Sequence, residues 1–474
     1  MGEPGAGPAS AATTEKGTAG RTEKVEPPLP PRVALALAGG APEGAIYEIG
    51  ALRALDECCD GLDLNRLFLY VGVSAGGFIN ACLANDLTTA QMCRAIVSHE
   101  PGEHPFVPET FLTPSVREMG RSLRALPRLL GEALREYARK RADLTLLESL
   151  TRLGRALPVA VFDNEPIRAY AEKIFRLKSR TDDFRQLGKR LVIVAADLDS
   201  GQAVCFGEPG MDHVPISRAV QATTALPGLY PPVEIEGRHV VDGILLKTLH
   251  ASVALEAGAG LVICINPIVS VDTVHAVEQG YMQGGNLVER GLPTVLSQTL
   301  RTIVHSRLEV GMAAYAAKYG KADVILLEPE RDDYLMAFTN IFGFSERRAV
   351  CAHAYHSTRR YLLAHYDALS EVFARHGVIL RRDVLLEERD LWEQVGLSRA
   401  GRRLPAPAPP SRPLRSLPSR PSPPAAAPGS SVSVVQRLGD TLSRLERLVA
   451  QQAQPAAPAE RLEHLEQAAA VDTA

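Results

Sequence analysis

The chain has 474 residues, of which 46% are hydrophobic and 23% are charged, and its formal net charge at pH 7 is -3. This length and apolar content allow a large buried core, so one main domain with appendages is expected rather than several equal domains. A charge balance so close to neutral argues against a nucleic-acid-binding protein and against a strongly acidic one.

The N-terminal segment, residues 1–31, consists mainly of Gly, Ala, Pro, Thr and Glu and contains no apolar block. We expect it to be disordered and to hold no secretory signal. The seven cysteines form no CxxC pair and their number is odd, which predicts reduced residues in a core. The longest apolar runs are far shorter than the ~20 residues that cross a bilayer. The sequence therefore predicts a cytoplasmic protein that contacts a membrane only peripherally, at its inner face.

Apolar runs alternate with helical patterns along most of the chain. The predicted strands are Val33–Leu37, Leu67–Val71, Leu191–Ala196, Leu261–Ile265 and Val324–Leu327. Helical spacing of apolar residues is found between them, at Gly44–Leu55, Ala75–Leu87, Thr248–Gly258 and Glu289–Tyr319. Continuous apolar strands separated by helices are typical of a mostly parallel sheet that is covered on both faces. The predicted fold class is therefore α/β, with three layers, α/β/α.

This pattern places the main domain at 32–330, with a helical insertion at about 88–188 and a helical extension at 331–401 that packs on the domain. In the insertion, leucines alternate with arginines between Ser115 and Pro158, which suits the surface of an anionic membrane; a solvated helix packed on the sheet is the alternative. The apolar run Tyr334–Phe344 is a candidate lining for an apolar site, or packs against the sheet.

Two apolar patterns in the second half of the chain favour amphipathic helices. The predicted helix Glu289–Tyr319 gathers five apolar residues on one face: Leu296, Leu300, Ile303, Val304 and Leu308. Residues 402–429 are rich in Pro, Ala, Ser and Arg, which predicts a linker. Residues 430–474 follow, with a four-three-four spacing of Leu438, Leu442, Leu445 and Val449. This spacing predicts an amphipathic helix or a short coiled coil, which would permit self-association.

One serine stands between a predicted strand and a predicted helix. Ser74 is the centre of Gly72-Val73-Ser74-Ala75-Gly76, directly after an apolar run and before a helical pattern. Small residues on both sides of a serine allow the strained turn of a nucleophile elbow, which exposes the hydroxyl oxygen. The motif therefore indicates acyl transfer, with Ser74 as the nucleophile.

Acyl transfer also requires backbone amides directed at the developing oxyanion. The loop Ala38-Gly39-Gly40-Ala41-Pro42-Glu43-Gly44 ends a strand and opens a helix, where small residues leave amides accessible and the helix dipole favours negative charge. Gly40 and Ala41 are the favoured donors. An ordinary glycine-rich turn, or a loop that binds nucleotide phosphate, explains the same pattern.

Two sets of residues compete for the role of general base. A Ser-His-Asp triad would use one of the later histidines with an earlier acid; the candidates are His239, His250 and His305 with Asp197 and Asp199. Asp242 is the other candidate, because it ends a short apolar run directly before Gly243, which leaves space around the carboxylate. A simple Asp-Gly turn is the structural alternative for this dipeptide.

These motifs together resemble the patatin-like phospholipases, which are serine lipid acyl hydrolases that use a Ser-Asp dyad without histidine. The resembling blocks occur in the family's order between Val33 and Asn266: Gly39–Gly44, Gly72–Gly76, Ala195–Gly201, Ala219–Val233 and Val241–Gly243. The resemblance implies that Ser74 is the nucleophile, that Asp242 accepts its proton, and that the amides of Gly39, Gly40 and Ala41 form the oxyanion hole. Gly44, Gly72, Gly76 and Gly243 complete the matching motifs.

The chain departs from the family's pattern at three positions. Ala41 replaces a glycine, Glu43 stands where the family has a basic residue, and Ile244 follows the Asp-Gly pair where Gly or Ala is usual. A negative charge at Glu43 would disfavour an anionic phosphate group if the side chain points at the site, which makes neutral acyl esters more plausible substrates.

The resemblance implies a lipid substrate, either a phospholipid or a neutral acylglycerol, and an acyl-Ser74 intermediate. No cofactor and no metal are expected, because the clustered His, Cys or carboxylate spacings of a metal site are missing from the sequence. Two alternatives remain open: an α/β-hydrolase with a histidine triad, and a non-catalytic lipid-binding scaffold of the same fold.

Overall fold

A computed structural model of the chain describes residues 32–98, 158–270, 287–330 and 346–397, with some shorter pieces. The shorter pieces are residues 111–116, 118–122, 124, 127, 128, 272, 277, 278, 333 and 336. The predictions for residues 1–31, for the linker 402–429, for the helix in 430–474 and for most of the basic insertion lie outside the described residues. All described residues belong to the first of the two units into which the chain divides, Met1–Ala406.

The described chain forms one large sheet and a small one. The strands are β1 (Val33–Leu37), β2 (Cys59–Asp60), β3 (Leu69–Val73), β4 (Leu191–Asp197), β5 (Ala203–Phe206), β6 (Val233–Ile235), β7 (Arg238–Asp242), β8 (Leu261–Ile265), β9 (Asp323–Leu327) and β10 (Ile379–Leu380). The large sheet has the order β6-β7-β4-β3-β1-β8-β9, and β5 also pairs with β4. Its central pairings are parallel, whereas β5, β6 and β7 pair antiparallel. β10 pairs with β2.

Helices cover both faces of the large sheet. They are α1 (Ala41–Cys58), α2 (Ala75–Ala84), α3 (Thr89–Met92), α4 (Glu165–Phe175), α5 (Ile216–Thr223), α6 (Ala251–Glu256), α7 (Leu292–Lys318), α8 (Arg347–Ala364), α9 (Tyr366–Arg375), α10 (Arg382–Leu386) and α11 (Leu391–Gln394). A turn of π-helix, Cys93–Val97, follows α3, and short 3-10 turns occur at Phe184–Gln186, Gly243–Leu245 and Leu287–Arg290.

The alternation of side chains along β1 divides the core into two layers. Leu35 packs in a cluster with Ile49 of α1 and Tyr355 of α8. Ala36 points to the other face and packs in a cluster with Leu255 of α6. Every residue of β1 is buried, as expected for a central parallel strand covered on both sides. The predicted α/β/α class with a mostly parallel sheet is confirmed.

The prediction of a single apolar face on α7 is only partly right. Val304 and Leu308 are buried, and Leu300 packs against the same cluster. Leu296 and Ile303 are 58% and 50% exposed. The five residues span a wide arc of the helix at 100° per residue, so the sheet covers only one side of that arc.

Candidate active site

Ser74 occupies a strained turn between β3 and α2. Its backbone has φ 52° and ψ -125°, a conformation that L-residues rarely adopt and that costs roughly 1–3 kcal/mol. The glycines on both sides are required by space: a Cβ on Gly72 would lie 2.5 Å from the Cα of Gly77, and one on Gly76 would lie 2.4 Å from the carbonyl oxygen of Ala38. The strand and the helix can therefore approach each other this closely only with glycine at these two positions.

Thr223, the last residue of α5, supports this turn. The backbone N–H of Ser74 donates a hydrogen bond to Oγ1 of Thr223 at 2.9 Å. The Thr223 hydroxyl in turn donates to the carbonyl oxygen of Val194 in β4 at 2.5 Å. Sequence analysis missed this residue, although it lies inside the block Ala219–Val233, because a threonine at a helix end has no motif of its own.

The sheet register brings Asp242 to Ser74. Along one edge of β4, Val194 pairs with Val73, and the next residue, Ala195, pairs with Asp242. The end of β3 and the end of β7 therefore meet at the same point of β4. The Ser74 hydroxyl lies close enough to the carboxylate of Asp242 to lower its pKa, and the carboxylate accepts the backbone N–H of Ile244 at 3.0 Å.

Asp242 is almost fully buried, with 2% of its surface exposed. Burial raises the pKa of its carboxyl from 3.8 to about 7, while the hydrogen bond from the Ile244 amide and the nearby Ser74 hydroxyl oppose that shift. Gly243 is needed beside it, because a Cβ there would lie 2.5 Å from the carbonyl oxygen of Val194. The site thus holds a carboxylate that changes its protonation state near neutral pH.

The glycine loop between β1 and α1 lies against Ser74. A Cβ on Gly39 would be 2.8 Å from the Cβ of Ser74 and 3.3 Å from its Oγ, so the loop backbone approaches the hydroxyl closely. Among the described residues, the amides of Gly39 and Gly40 have no hydrogen-bond acceptor. Ala41 is the first residue of α1, where an α-helix leaves its amides without an internal acceptor and its dipole favours an anion.

Two further features of this loop follow from its packing. Gly44 packs on Pro267, since a Cβ there would lie 2.9 Å from the proline Cγ. Ala41 has φ 54°, in the region that favours glycine. Alanine at this position therefore costs on the order of 1 kcal/mol relative to glycine.

A cavity of about 160 Å³ opens beside Ser74. Gly40, Ala41, Ser74 and Asp242 form its polar end. Most of the remaining lining is apolar, including Phe78, Phe111, Ile167, Tyr170, Leu226, Leu229 and Met336. Of the run Tyr334–Phe344, which the sequence offered as a lining, Met336 is the described residue, and it is buried in this cavity.

Glu43 also lines the cavity, but it does not bring the negative charge that the sequence suggested. The side chain is buried, and burial raises the pKa of its carboxyl to about 8; Arg301 opposes this shift and Asp333 adds to it. The carboxyl is therefore mostly neutral at pH 7. The expected repulsion of an anionic substrate group by Glu43 is thus weak at that pH.

The three histidines of the alternative triad lie elsewhere. His239 is exposed and its Nδ1 lies 3.3 Å from a carboxylate oxygen of Asp199. His250 is buried, its Nε2 lies 3.3 Å from the carbonyl oxygen of Gly243, and burial lowers its pKa to about 4. His305 pairs with Glu309 on α7. No histidine is among the described residues that line the cavity.

Two negative observations apply to the part of the chain that the structure describes. Within it, no group of three or more His, Cys, Asp or Glu side chains is arranged to hold a metal ion. None of the helices in that part is long and apolar enough to span a bilayer.

The sheet with helices on both faces defines a three-layer α/β protein. Ser74, in the turn between β3 and α2, gives this fold a nucleophile elbow. Residues 35–255 match the family model of the patatin-like phospholipases. The match covers the region in which the sequence resembles this family, and that resemblance is confirmed.

Three solved structures are similar to this chain at low identity. VipD from Legionella pneumophila is 14% identical, with a TM-score of 0.29 over 68% of this chain and 67% of its own. A chain in the complex of SpcU with ExoU from the type III secretion system of Pseudomonas aeruginosa is 15% identical, with a TM-score of 0.23 over 60% of this chain and 53% of its own. The type III effector protein ExoU is 16% identical, with a TM-score of 0.23 over 73% and 66%. The chain thus spans about half to two thirds of these proteins.

Proposed function

We propose that this protein is a serine acyl hydrolase that cleaves carboxylic ester bonds of lipids, either phospholipids or neutral acylglycerols. Ser74 is the nucleophile, Asp242 is the general base, and the amides of Gly39, Gly40 and Ala41 form the oxyanion hole. The observation that supports this most strongly is the sheet register, which brings Ser74 and the buried Asp242 together at the polar end of an apolar cavity.

The chemistry proceeds in two halves. Asp242 takes the hydroxyl proton as Oγ of Ser74 attacks the ester carbonyl, and the loop amides stabilise the oxyanion. The alcohol leaves with the proton from Asp242, and the acyl group stays on Ser74. A water molecule then gives its proton to Asp242 and attacks the acyl carbonyl, and the fatty acid leaves as Ser74 regains a proton.

The environment of Asp242 suits it to this role. A carboxylate with an ordinary pKa is a weak base for a serine hydroxyl, whereas a base whose pKa lies near the working pH is more effective. Burial brings the pKa of Asp242 to about 7. Because the base must be ionised, we expect ester hydrolysis to rise with pH through about 7.

The apolar lining favours a lipid acyl chain, and peripheral contact with the cytoplasmic face of a membrane is part of the proposal. Four large apolar side chains of α7 are half or more exposed: Leu292, Leu296, Ile303 and Val310. They repeat at intervals of four, seven and seven residues, so they form one stripe on the helix. An exposed apolar stripe on a helix that also lines the apolar cavity suits a lipid surface. Self-association through residues 430–474 is a further proposal that rests on the sequence alone.

Labelling with a fluorophosphonate probe, together with turnover of a fatty-acid ester, tests the proposed function. We expect Ser74→Ala to abolish both labelling and turnover, and Asp242→Asn to lower turnover by at least 10³-fold in a folded protein. Ser297→Ala is the matched control, because Ser297 lines the same cavity without occupying the elbow. Asp197→Asn is the control for the carboxylate, since Asp197 caps the turn after β4.

The outcomes separate the three hypotheses. Full turnover in folded Asp242→Asn would contradict the dyad. Loss of turnover on replacing His239, His250 or His305 alone would favour a triad. A wild-type protein that neither labels nor hydrolyses esters would favour the scaffold.

A further inference from the structure

One wall of the cavity carries a cation that the proposed mechanism does not use. Arg301 of α7 lines the cavity together with Ser74 and Glu43. The acid on the glycine loop and the cation on α7 are more than 250 residues apart in the chain.

The guanidinium of Arg301 is only partly satisfied by the protein. It donates one hydrogen bond, to the carbonyl oxygen of Val269 at 3.4 Å. Among the described residues, no carboxylate forms an ion pair with Arg301, and Glu43 acts on it only at longer range. A guanidinium has five donors and stays charged at all relevant pH values, so most of its donors remain available to a ligand in the cavity.

Glu43 is the carboxyl that acts on this cation. Its Oε1 is buried without a hydrogen-bond partner in the described structure. The charged groups that act on Glu43 are Arg301 of α7 and Asp333, which follows β9. Asp333 is itself held by His353 at 2.6 Å. Burial keeps the Glu43 carboxyl mostly protonated at pH 7, with a pKa of about 8.

We propose that Arg301 is the specificity residue that receives an anionic oxygen group of the acyl lipid, and that ionisation of Glu43 withdraws Arg301 from this role by pairing with it. This inference rests on the proposed function, because the same cavity holds the ester. At pH values at which Glu43 is protonated, the cavity favours esters that carry a phosphate. At higher pH values, at which Glu43 is ionised, the two side chains neutralise each other, and the preference for an anionic ester over a neutral one declines.

The test compares two esters with the same acyl chain, a monoacylglycerol 3-phosphate and the corresponding monoacylglycerol. The titration of Asp242 affects both reactions equally, so its effect cancels in the ratio of their kcat/KM values. We expect the wild-type ratio to fall at least tenfold between pH 7 and pH 9.5. Glu43→Gln should keep the high ratio at both pH values. Arg301→Gln should lower the ratio at pH 7 at least tenfold, as expected for the loss of a charge-assisted hydrogen bond, and Arg301→Lys should restore part of it.

Arg307→Gln is the matched control, because Arg307 lies on the same helix but donates to the carbonyl oxygen of Leu245 and does not line this cavity. It should leave the ratio unchanged. A ratio that does not respond to Arg301→Gln, or a pH dependence that persists in Glu43→Gln, would overturn the inference.

A binding measurement separates this inference from the proposed function. Hexadecyl phosphate and hexadecanol have no ester, so their affinities do not depend on hydrolysis. We expect wild type and Ser74→Ala to bind the phosphate more tightly at pH 7, and Arg301→Gln to lose that preference. If wild type hydrolyses nothing but shows this preference, the proposed function fails and the anion site stands. Equal affinities in wild type and Arg301→Gln would refute the site whatever the turnover.

Discussion

Ser74 is held in its strained conformation by its neighbours. Its N–H donates to Thr223, whose hydroxyl donates to the Val194 carbonyl, and its side chain lies beside Asp242. Strain of this kind persists only where the surrounding contacts determine it. Thr223 is therefore a positioning residue, which acts on the ester only through Ser74.

Thr223→Val tests this role, because valine keeps the shape and removes the hydroxyl. The buried Ser74 amide then loses its acceptor, which costs about 1–3 kcal/mol in the free energy of unfolding. We expect kcat for an ester to fall about tenfold or more with little change in KM. Denaturant unfolding and steady-state kinetics measure the two effects. Thr223→Ser, which keeps the hydroxyl, should restore kcat; equal kcat in Thr223→Val and wild type would contradict the positioning role.

The sequence indicated some of the site's residues and could not indicate others. Ser74 and Asp242 were recognisable because glycines flank them at spacings that a tight turn requires. Thr223 and Arg301 have no such local signature. Each matters through a contact made across the fold, to the Ser74 amide in one case and to the cavity in the other.

At the scale of elements, α1 and α8 approach each other closely at Gly50. A Cβ on Gly50 would lie 2.3 Å from the carbonyl oxygen of Cys351 and 2.9 Å from the Cβ of Ala354. Helices can pack at this distance only where one of them presents no side chain. The contact fixes α8 on the helix whose first turn forms part of the cavity.

Gly50→Ala should therefore destabilise the protein, although alanine favours a helix. We expect a loss of about 1–3 kcal/mol, because backbone atoms must shift to admit the methyl group. Gly311→Ala in α7 is the matched control, since a Cβ there has nothing within 4 Å. It should stabilise the protein by about 0.5–1 kcal/mol. Urea unfolding midpoints measure both changes; a Gly50→Ala protein as stable as Gly311→Ala would contradict the close packing.

The helix α7 shows how far periodicity predicts an element. Its apolar spacing indicated a helix, and a helix is present from Leu292 to Lys318. The spacing did not indicate that the apolar arc would be divided between the sheet and solvent. That division depends on where α6 and the sheet lie, which a local pattern does not contain.

At the scale of the whole molecule, the fold buries several carboxyl groups and thereby raises their pKa values. Glu48 on α1 is completely buried, and neither carboxyl oxygen has a hydrogen-bond partner among the described residues. Burial raises the pKa of Glu48 well above its ordinary value. Asp242 and Glu43 are shifted in the same direction.

These raised pKa values predict that the folded state loses stability as pH rises. A carboxyl that is neutral in the fold and ionised in the unfolded chain contributes stability that is complete below its unfolded pKa. That contribution falls by about 1.4 kcal/mol per pH unit between the unfolded and the folded pKa. We expect Glu48→Gln to remove part of this slope, so that the stability of the variant relative to wild type increases as pH rises from 5 to 9.

Urea unfolding at pH 5, 7 and 9 measures this slope. Glu234→Gln, at an exposed position of β6, is the control and should follow wild type at every pH. Parallel curves for wild type and Glu48→Gln would show that Glu48 does not stay neutral in the fold.

The sequence by itself determined the strands β1, β3, β4, β8 and β9, the helices α1, α2, α6 and α7, the three-layer class, the resemblance to the family, and the two residues proposed for the chemistry. It could do so because continuous apolar runs and glycine-flanked turns are local properties of the chain. Only the tertiary structure decided that Asp242 reaches Ser74, that its pKa rises to about 7, that Glu43 is mostly neutral at pH 7, and that Arg301 enters the same cavity. Burial and contacts between residues far apart in the chain set these properties, because the energy of a charged group depends on the solvent and the partners that the complete fold leaves around it.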